Sequence, residues 1–236
     1  MTPQLQTIIP LAGPDFILPD GSLKPLYPVD GEPLIMRALQ SRPWYEKSIK
    51  NSENVVFVLR DTSQTPRFKQ FLRGHFPNCR IVTSSHLTRG ALLSAAAGVA
   101  VLNHPEWPVC IDLVDIIYKI DTDVERILSD DDCAGVLPWF ESDNPMYSYL
   151  VIDDDNVTQT AEKKVISHHA SAGTYFFKDM TTYFHAVSES MQHAEDWTYN
   201  NVFFLCPAYN SLTSGRGKIK AVQVTDVIPV SKMFHK

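Results

Sequence analysis

IIPLAGPDFILPDGSLKPLYPVDGEPLI, residues Ile8–Ile35, is the stretch whose reading decides the fold. Thr7 to Leu11 is apolar enough, and short enough, to read as a buried strand. A long loop follows, with two well-separated glycines, Gly13 and Gly21, and one lysine, Lys24. Pro33 then stands in the favoured first position of a helix that puts Leu34, Ile35, Ala38 and Leu39 on one face. Strand, loop with a lysine, then helix is an arrangement able to hold a phosphate, because backbone N–H groups and an ammonium can meet its charge.

Working outward, the same alternation repeats. Asn54 to Leu59 is a continuous apolar run, as expected of a strand covered on both faces. Thr65 to Phe76 reads as a helix, with Phe68, Phe71 and Leu72 spaced for one face, and Arg80 to Thr83 as a strand. Thr88 to Leu102 reads as a helix with Thr88 as its N-cap, and its Ala and Gly content suits close packing on a sheet. Pro108 to Val114 is another buried strand and Asp121 to Ser129 another helix. This order predicts an α/β fold: a Rossmann-like three-layer sandwich with a mostly parallel central sheet and right-handed crossovers. Ligands of such sheets bind outside the carboxyl ends of the strands.

After residue 130 the pattern changes. Ala134–Phe140, Tyr147–Asp153, Val157–Ala161 and Thr174–Lys178 read as short additional antiparallel strands, with a turn over Asp153–Asn156. Helices are expected near Thr181–Glu195 and Asn200–Leu212, then a loop at 214–217 and a last strand over Ile219–Val224. No repeat or low-complexity linker interrupts the chain, so residues 1–236 read as one domain, with 1–130 a nucleotide-binding half and 131–236 an acceptor-binding half.

The bulk properties narrow the partners. The 236 residues are 44% apolar and 20% charged, with a net charge of −6. That balance argues against nucleic acid or an anionic membrane surface as partner. Ala91–Leu102 is too short to span a bilayer, which takes roughly 20 residues. The four cysteines, Cys79, Cys110, Cys133 and Cys206, form no CxxC pair, and no basic-then-apolar leader opens the chain. A reducing cytoplasm is the expected compartment. The oligomeric state is open, a homo-oligomer included.

Six segments, in order, carry a resemblance: IIPLAG, KPLYPVDGEPLI, LTRGAL, PVCIDLVDI, AEKKVISHHASAGTYFF and CPAYNSLTSGRGKI. Together they resemble the sugar-phosphate nucleotidylyltransferases, the NDP-sugar pyrophosphorylase-like nucleotidyltransferase family. The resemblance implies a Mg²⁺-dependent transfer of NMP from a nucleoside triphosphate to a phosphorylated small molecule of the sugar 1-phosphate class, with release of pyrophosphate. Such enzymes commonly serve surface polysaccharide synthesis. Transfer of this kind rests on positioning and charge stabilisation more than on covalent chemistry.

By resemblance, Leu11-Ala12-Gly13 begins the nucleotide loop, and Lys24, in its Lys-Pro pair, stabilises charge as pyrophosphate departs. Thr88 and Gly90 fall on the segment that packs on the base. Asp115 falls on the metal aspartate, with Asp112 as the alternative in the same strand end and Asp226 as a second metal ligand. Glu162 and Lys163 meet the acceptor's hydroxyls and phosphate, and Gly173 lets the acceptor ring lie on the backbone. Each position has a plain structural alternative: a solvated lysine, an ordinary cap, a surface loop, a charged strand end.

One departure stands out. Where the family continues with a second glycine and an arginine, this chain has Pro14-Asp15-Phe16. Pro14 lacks an N–H and Asp15 would repel a phosphate. The segment is then either a plain surface turn or a loop holding triphosphate differently. Two other functions stay in view: a cytidylyltransferase with a non-sugar phosphate acceptor, and a non-catalytic nucleotide-sugar binding homologue. His168-His169 point apart if on a strand, and Asp121-Thr122-Asp123 reads as helix capping rather than a metal motif.

Overall fold

The computed structural model of the chain describes residues 3–213, 215 and 217–230. Of the loop expected at 214–217, residues 214 and 216 therefore lie outside the described residues. Strand β1 (Gln6–Leu11) leads through a short hairpin, β2 (Pro28–Val29) and β3 (Glu32–Pro33), into helix α1 (Leu34–Gln40). Then come β4 (Val55–Arg60), α2 (Thr65–His75), β5 (Arg80–Ser84), α3 (Ala91–Val99) and β6 (Val109–Asp112). The second part holds β7 (Ile117–Lys119), α4 (Val124–Leu128), β8 (Cys133–Glu141), β9 (Ser148–Asp153), β10 (Asn156–Glu162), β11 (His169–Ser171) and β12 (Thr174–Phe177). It closes with α5 (Met180–Gln192), α6 (Ala194–Trp197), α7 (Leu205–Ala208), β13 (Lys218–Gln223) and β14 (Thr225–Ile228).

Ten strands form one sheet in the order β11-β9-β10-β13-β8-β12-β6-β1-β4-β5. The sheet is mixed, not mostly parallel as expected. β6, β1, β4 and β5 run parallel. β12 lies antiparallel to both β6 and β8, and β9 pairs antiparallel with β10 and β11. The reason is connection length. Parallel neighbours need a crossover of about a dozen residues or more. β9 and β10 are joined by Asp154-Asp155, both at positive φ, the tight turn that forces antiparallel pairing.

Alternation along the central strands builds two cores. On β1 and β4, Ile9, Leu11, Val55, Phe57 and Leu59 face one way, against Leu34, Ile35 and Leu39 of α1 and Phe68 and Leu72 of α2. Ile8, Val56 and Val58 face the other way, against Leu92, Ala95 and Val99 of α3 and Tyr183 and Ala186 of α5. The sheet is thus the middle of three layers. Cys110 and Cys133 are buried free thiols within it. Among the described residues no helix is long and apolar enough to cross a membrane.

Three local expectations differ. α3 starts at Ala91 with Gly90 as N-cap, so Thr88 is not the cap; its hydroxyl instead donates to the Gly90 carbonyl at 3.0 Å. The helix expected over Asn200–Leu212 is only α7 and a 3₁₀ turn. Asn200 and Asn201 both adopt positive φ, a conformation asparagine tolerates and a helix does not. β11 was not expected at all, because three residues are too few to show a period. The adjacent histidines divide as anticipated: His168 lies against Asp143, while His169 sits on β11 against the edge of Trp139.

Candidate active site

A cleft of about 650 Å³ opens at the carboxyl ends of β1 and β6. Leu11, Ala12 and Gly13 line it from the end of β1, and Lys24 from the loop that follows. Thr88 and Gly90 reach it from the turn before α3, and Asp115 from the turn after β6. Glu162, Lys163 and Gly173 face it from the antiparallel side. Ten residues singled out in sequence, from Leu11 to Gly173, therefore share one mouth. Asp112 and Asp226 do not line it.

Asp112 has a different task. It is fully buried and takes Arg42 Nε at 2.7 Å and Nη2 at 3.2 Å. Arg42 also donates to the Ile116 carbonyl at 2.9 Å and lies 3.9 Å above the Tyr118 ring. Asp112 accepts the Val114 N–H at 2.9 Å. The residues on both sides of Asp115 are thus tied to one buried ion pair. Val114 is held at φ 51°, a costly conformation for a β-branched residue and one that persists only where its surroundings impose it. Burial disfavours the Arg42 cation, but Asp112 more than offsets this and holds its guanidinium above the ordinary arginine range.

Asp226 is 64% exposed and pairs with Lys119 at 2.7 Å, across the small β14–β7 ribbon. The ribbon stands apart from the main sheet, so this carboxylate serves a surface ion pair. Among the described residues, no three carboxylate, thiol or imidazole side chains converge on one point. A Mg²⁺ ion commonly binds through one or two carboxylates with substrate phosphates and water supplying the rest. Asp115 in the cleft fits that donor set.

Gly173 is fitted to Asp115. It sits at φ 76°, and a Cβ there would come within 3.1 Å of Asp115 Oδ1. Gly90 is fitted to the chain opposite: a Cβ there would meet the Phe203 carbonyl oxygen at 2.2 Å. That carbonyl accepts the Leu92 N–H, and Phe203 N–H donates to the Arg89 carbonyl, so the 202–205 segment is laced to the start of α3. Val202, Phe204 and Leu205 line the cleft, a contribution hidden in sequence by the expected helix.

Lys24 is largely buried in the cleft, with 14% of its side chain exposed. It forms an ion pair with Asp15. Burial pulls its ammonium down, but Asp115 and then Asp15 hold it above the ordinary lysine range. Burial, with Asp115 nearby, pushes the Tyr147 phenol up to about 12. Glu162 accepts from the Ser148 hydroxyl, and the Lys163 ammonium lies 5.2 Å from the Tyr199 ring and 5.5 Å from that of Phe204. Tyr147 and Phe204 add aromatic rings to the cleft that no spacing rule marked out.

No family model matches the sequence, and no curated protein matches it. Solved structures do. A nucleoside-diphosphate-sugar pyrophosphorylase from Vibrio cholerae RC9 superposes with a TM-score of 0.78 at 18% identity, over 99% of this chain and 100% of that one. A UDP-glucose pyrophosphorylase complexed with UDP-glucose gives 0.69 at 15%, over 94% and 90%. The inositol-1-phosphate CTP transferase from T. maritima gives 0.65 at 14%, over 94% and 86%. Likeness at this identity speaks to architecture, and on that ground the chain shares the fold of these pyrophosphorylase and CTP transferase structures.

Proposed function

We propose that the chain is a nucleotidyltransferase that moves an NMP from a nucleoside triphosphate to a phosphorylated small molecule of the sugar 1-phosphate class. The observation that carries this is the cleft itself, where the largely buried Lys24 ammonium, paired with Asp15, shares the carboxyl edge of the parallel strands with Asp115. In the reaction, an acceptor phosphate oxygen attacks the α-phosphorus, the bond from that phosphorus to the α–β bridging oxygen breaks, and pyrophosphate leaves. Lys24 meets the charge that grows on the departing phosphates. Mg²⁺, held at Asp115 with the substrate phosphates, supplies further neutralisation when bound. Leu11, Ala12, Gly13, Thr88 and Gly90 offer backbone to the nucleotide. Glu162 takes acceptor hydroxyls, and Lys163 takes the acceptor phosphate.

In this reading the whole chain works as one domain in the cytoplasm, the first half holding the nucleotide and the second the acceptor. A second reading keeps the reaction but changes the acceptor. The aromatic rings of Tyr147 and Phe204 would also accommodate a less polar, non-sugar phosphate. Competition between acceptors separates the two.

Thermal unfolding with CTP, UTP, dTTP, GTP and ATP, each with and without Mg²⁺, tests the nucleotide half. One triphosphate is expected to stabilise selectively, and Mg²⁺ to add to it. At about 100 times its Kd a ligand adds about 2.7 kcal/mol, a rise of roughly 5–10 °C for a chain of this size. If nucleotide-sugars stabilise and no triphosphate does, a non-catalytic binding role replaces this reading.

A further inference from the structure

We propose that Asp15 is a built-in competitor for the polyphosphate of the nucleotide, and that triphosphate must displace it from Lys24 before transfer. The inference rests on the reading of the cleft as a polyphosphate site and identifies what regulates entry to it.

Three observations converge. Lys24 is largely buried and ion-paired to Asp15. The Asp15 carboxylate also lies over the Gly13 backbone, since a Cβ on Gly13 would come within 2.8 Å of Asp15 Oδ1. An acid thus covers the open backbone face that a phosphate would approach. The loop, finally, spends several of its donors internally. Pro14 has no N–H, Phe16 N–H donates to the Gly13 carbonyl at 3.3 Å, and Ser22 N–H donates to Asp20 at 2.9 Å. Lys24 is left as the loop's principal positive group, and Asp15 is its resident counter-ion.

Asp15 is also placed to leave. Its side chain is 44% exposed, against 14% for Lys24. The carboxylate can therefore turn out to water while the ammonium stays in the cleft. A ligand of low charge gains too little from Lys24 to replace an intramolecular partner, whereas a polyphosphate brings several charges to one ammonium. Asp15 would then select for highly charged ligands, a role opposite to that of a residue that binds them.

The test is titration of the full chain with inorganic triphosphate at low ionic strength, in the wild type, Asp15→Asn and Asp15→Asn/Lys24→Met. Asp15→Asn is expected to lower Kd at least tenfold, and the added Lys24→Met to abolish the gain. Asp15→Gly, which removes the side chain altogether, is expected to reproduce it. A Kd in Asp15→Asn equal to or above that of the wild type overturns the proposal. So does a gain that survives Lys24→Met, since it would then reflect net charge alone. Pyrophosphate release from Mg²⁺-nucleotide by the wild type is followed in parallel. Transfer without a gain in Asp15→Asn sinks the competitor and leaves the proposed function standing. A gain without transfer by any chain does the reverse.

Discussion

Asp112→Ala is expected to destabilise the protein by about 3–5 kcal/mol, because it leaves the Arg42 guanidinium buried without its counter-ion. For a chain of this size the fall in Tm should be roughly 6–20 °C. The pair is fully buried, bidentate and the acceptor for Val114 N–H, so no water can take over. Arg42→Met is expected to do similar harm from the other side. Replacing both, as Arg42→Met/Asp112→Val, should recover much of the stability, since two apolar groups of similar volume need no counter-charge. It should not recover transfer. The turn carrying Asp115 would have lost both the Asp112 bond to Val114 and the Arg42 bond to Ile116. Denaturant unfolding and steady-state kinetics on the same variants check this. Full activity in the refolded double variant would show that the pair does not position Asp115.

Lys24→Met is the second large effect. Methionine keeps most of the apolar stem in place and removes only the charge. Removing one preorganised charge that meets a developing anion costs about 10²–10³ in kcat. The loss should fall on kcat more than on KM for the acceptor, whose proposed binding groups, Glu162 and Lys163, stand at the end of β10 rather than in the Lys24 loop. Melting within a few degrees of the wild type is expected, as the ion pair with the half-exposed Asp15 contributes little. Unchanged turnover would remove Lys24 from the mechanism.

Much of the architecture was legible because the two hydrophobic periods are clean. Val55–Arg60 and Val109–Asp112 are almost unbroken apolar runs, and α2 shows Phe68 and Leu72 at helical spacing. The cleft was legible because residues at the carboxyl ends of parallel strands must meet, wherever they fall in the chain. Lys24 and Asp115 were placed in the cleft by that rule and by the resemblance, and Gly173 by the resemblance alone, although nothing in sequence shows that Gly173 lies against the Asp115 carboxylate.

What stayed hidden depends on long-range pairing. Arg42 sits just beyond α1, and its partner Asp112 is 70 residues away. Seen alone, Arg42 is one more charged residue after a helix, and Asp112 the alternative to Asp115 three residues before it. Burial gives Asp112 to the scaffold and leaves Asp115 in the cleft. Asp15 was legible as a repulsive charge but not as the partner of Lys24. The mixed sheet was hidden for the same reason, since β12 inserts between β6 and β8 through pairings no local period reveals. The segment that lines the cleft at Val202 and Phe204 was masked by helix-like apolar spacing that two left-handed asparagines interrupt.

The most direct test of the central claim is pyrophosphate release by the wild-type chain. Each of the five nucleoside triphosphates is paired with Mg²⁺ and a set of phosphorylated acceptors, and the nucleotide product is followed by phosphorus NMR. The account predicts one productive pair, with pyrophosphate and the diphosphate-linked product formed in equal amounts. A chain that binds Mg²⁺-nucleotide and acceptor together yet releases no pyrophosphate from any pair would contradict it.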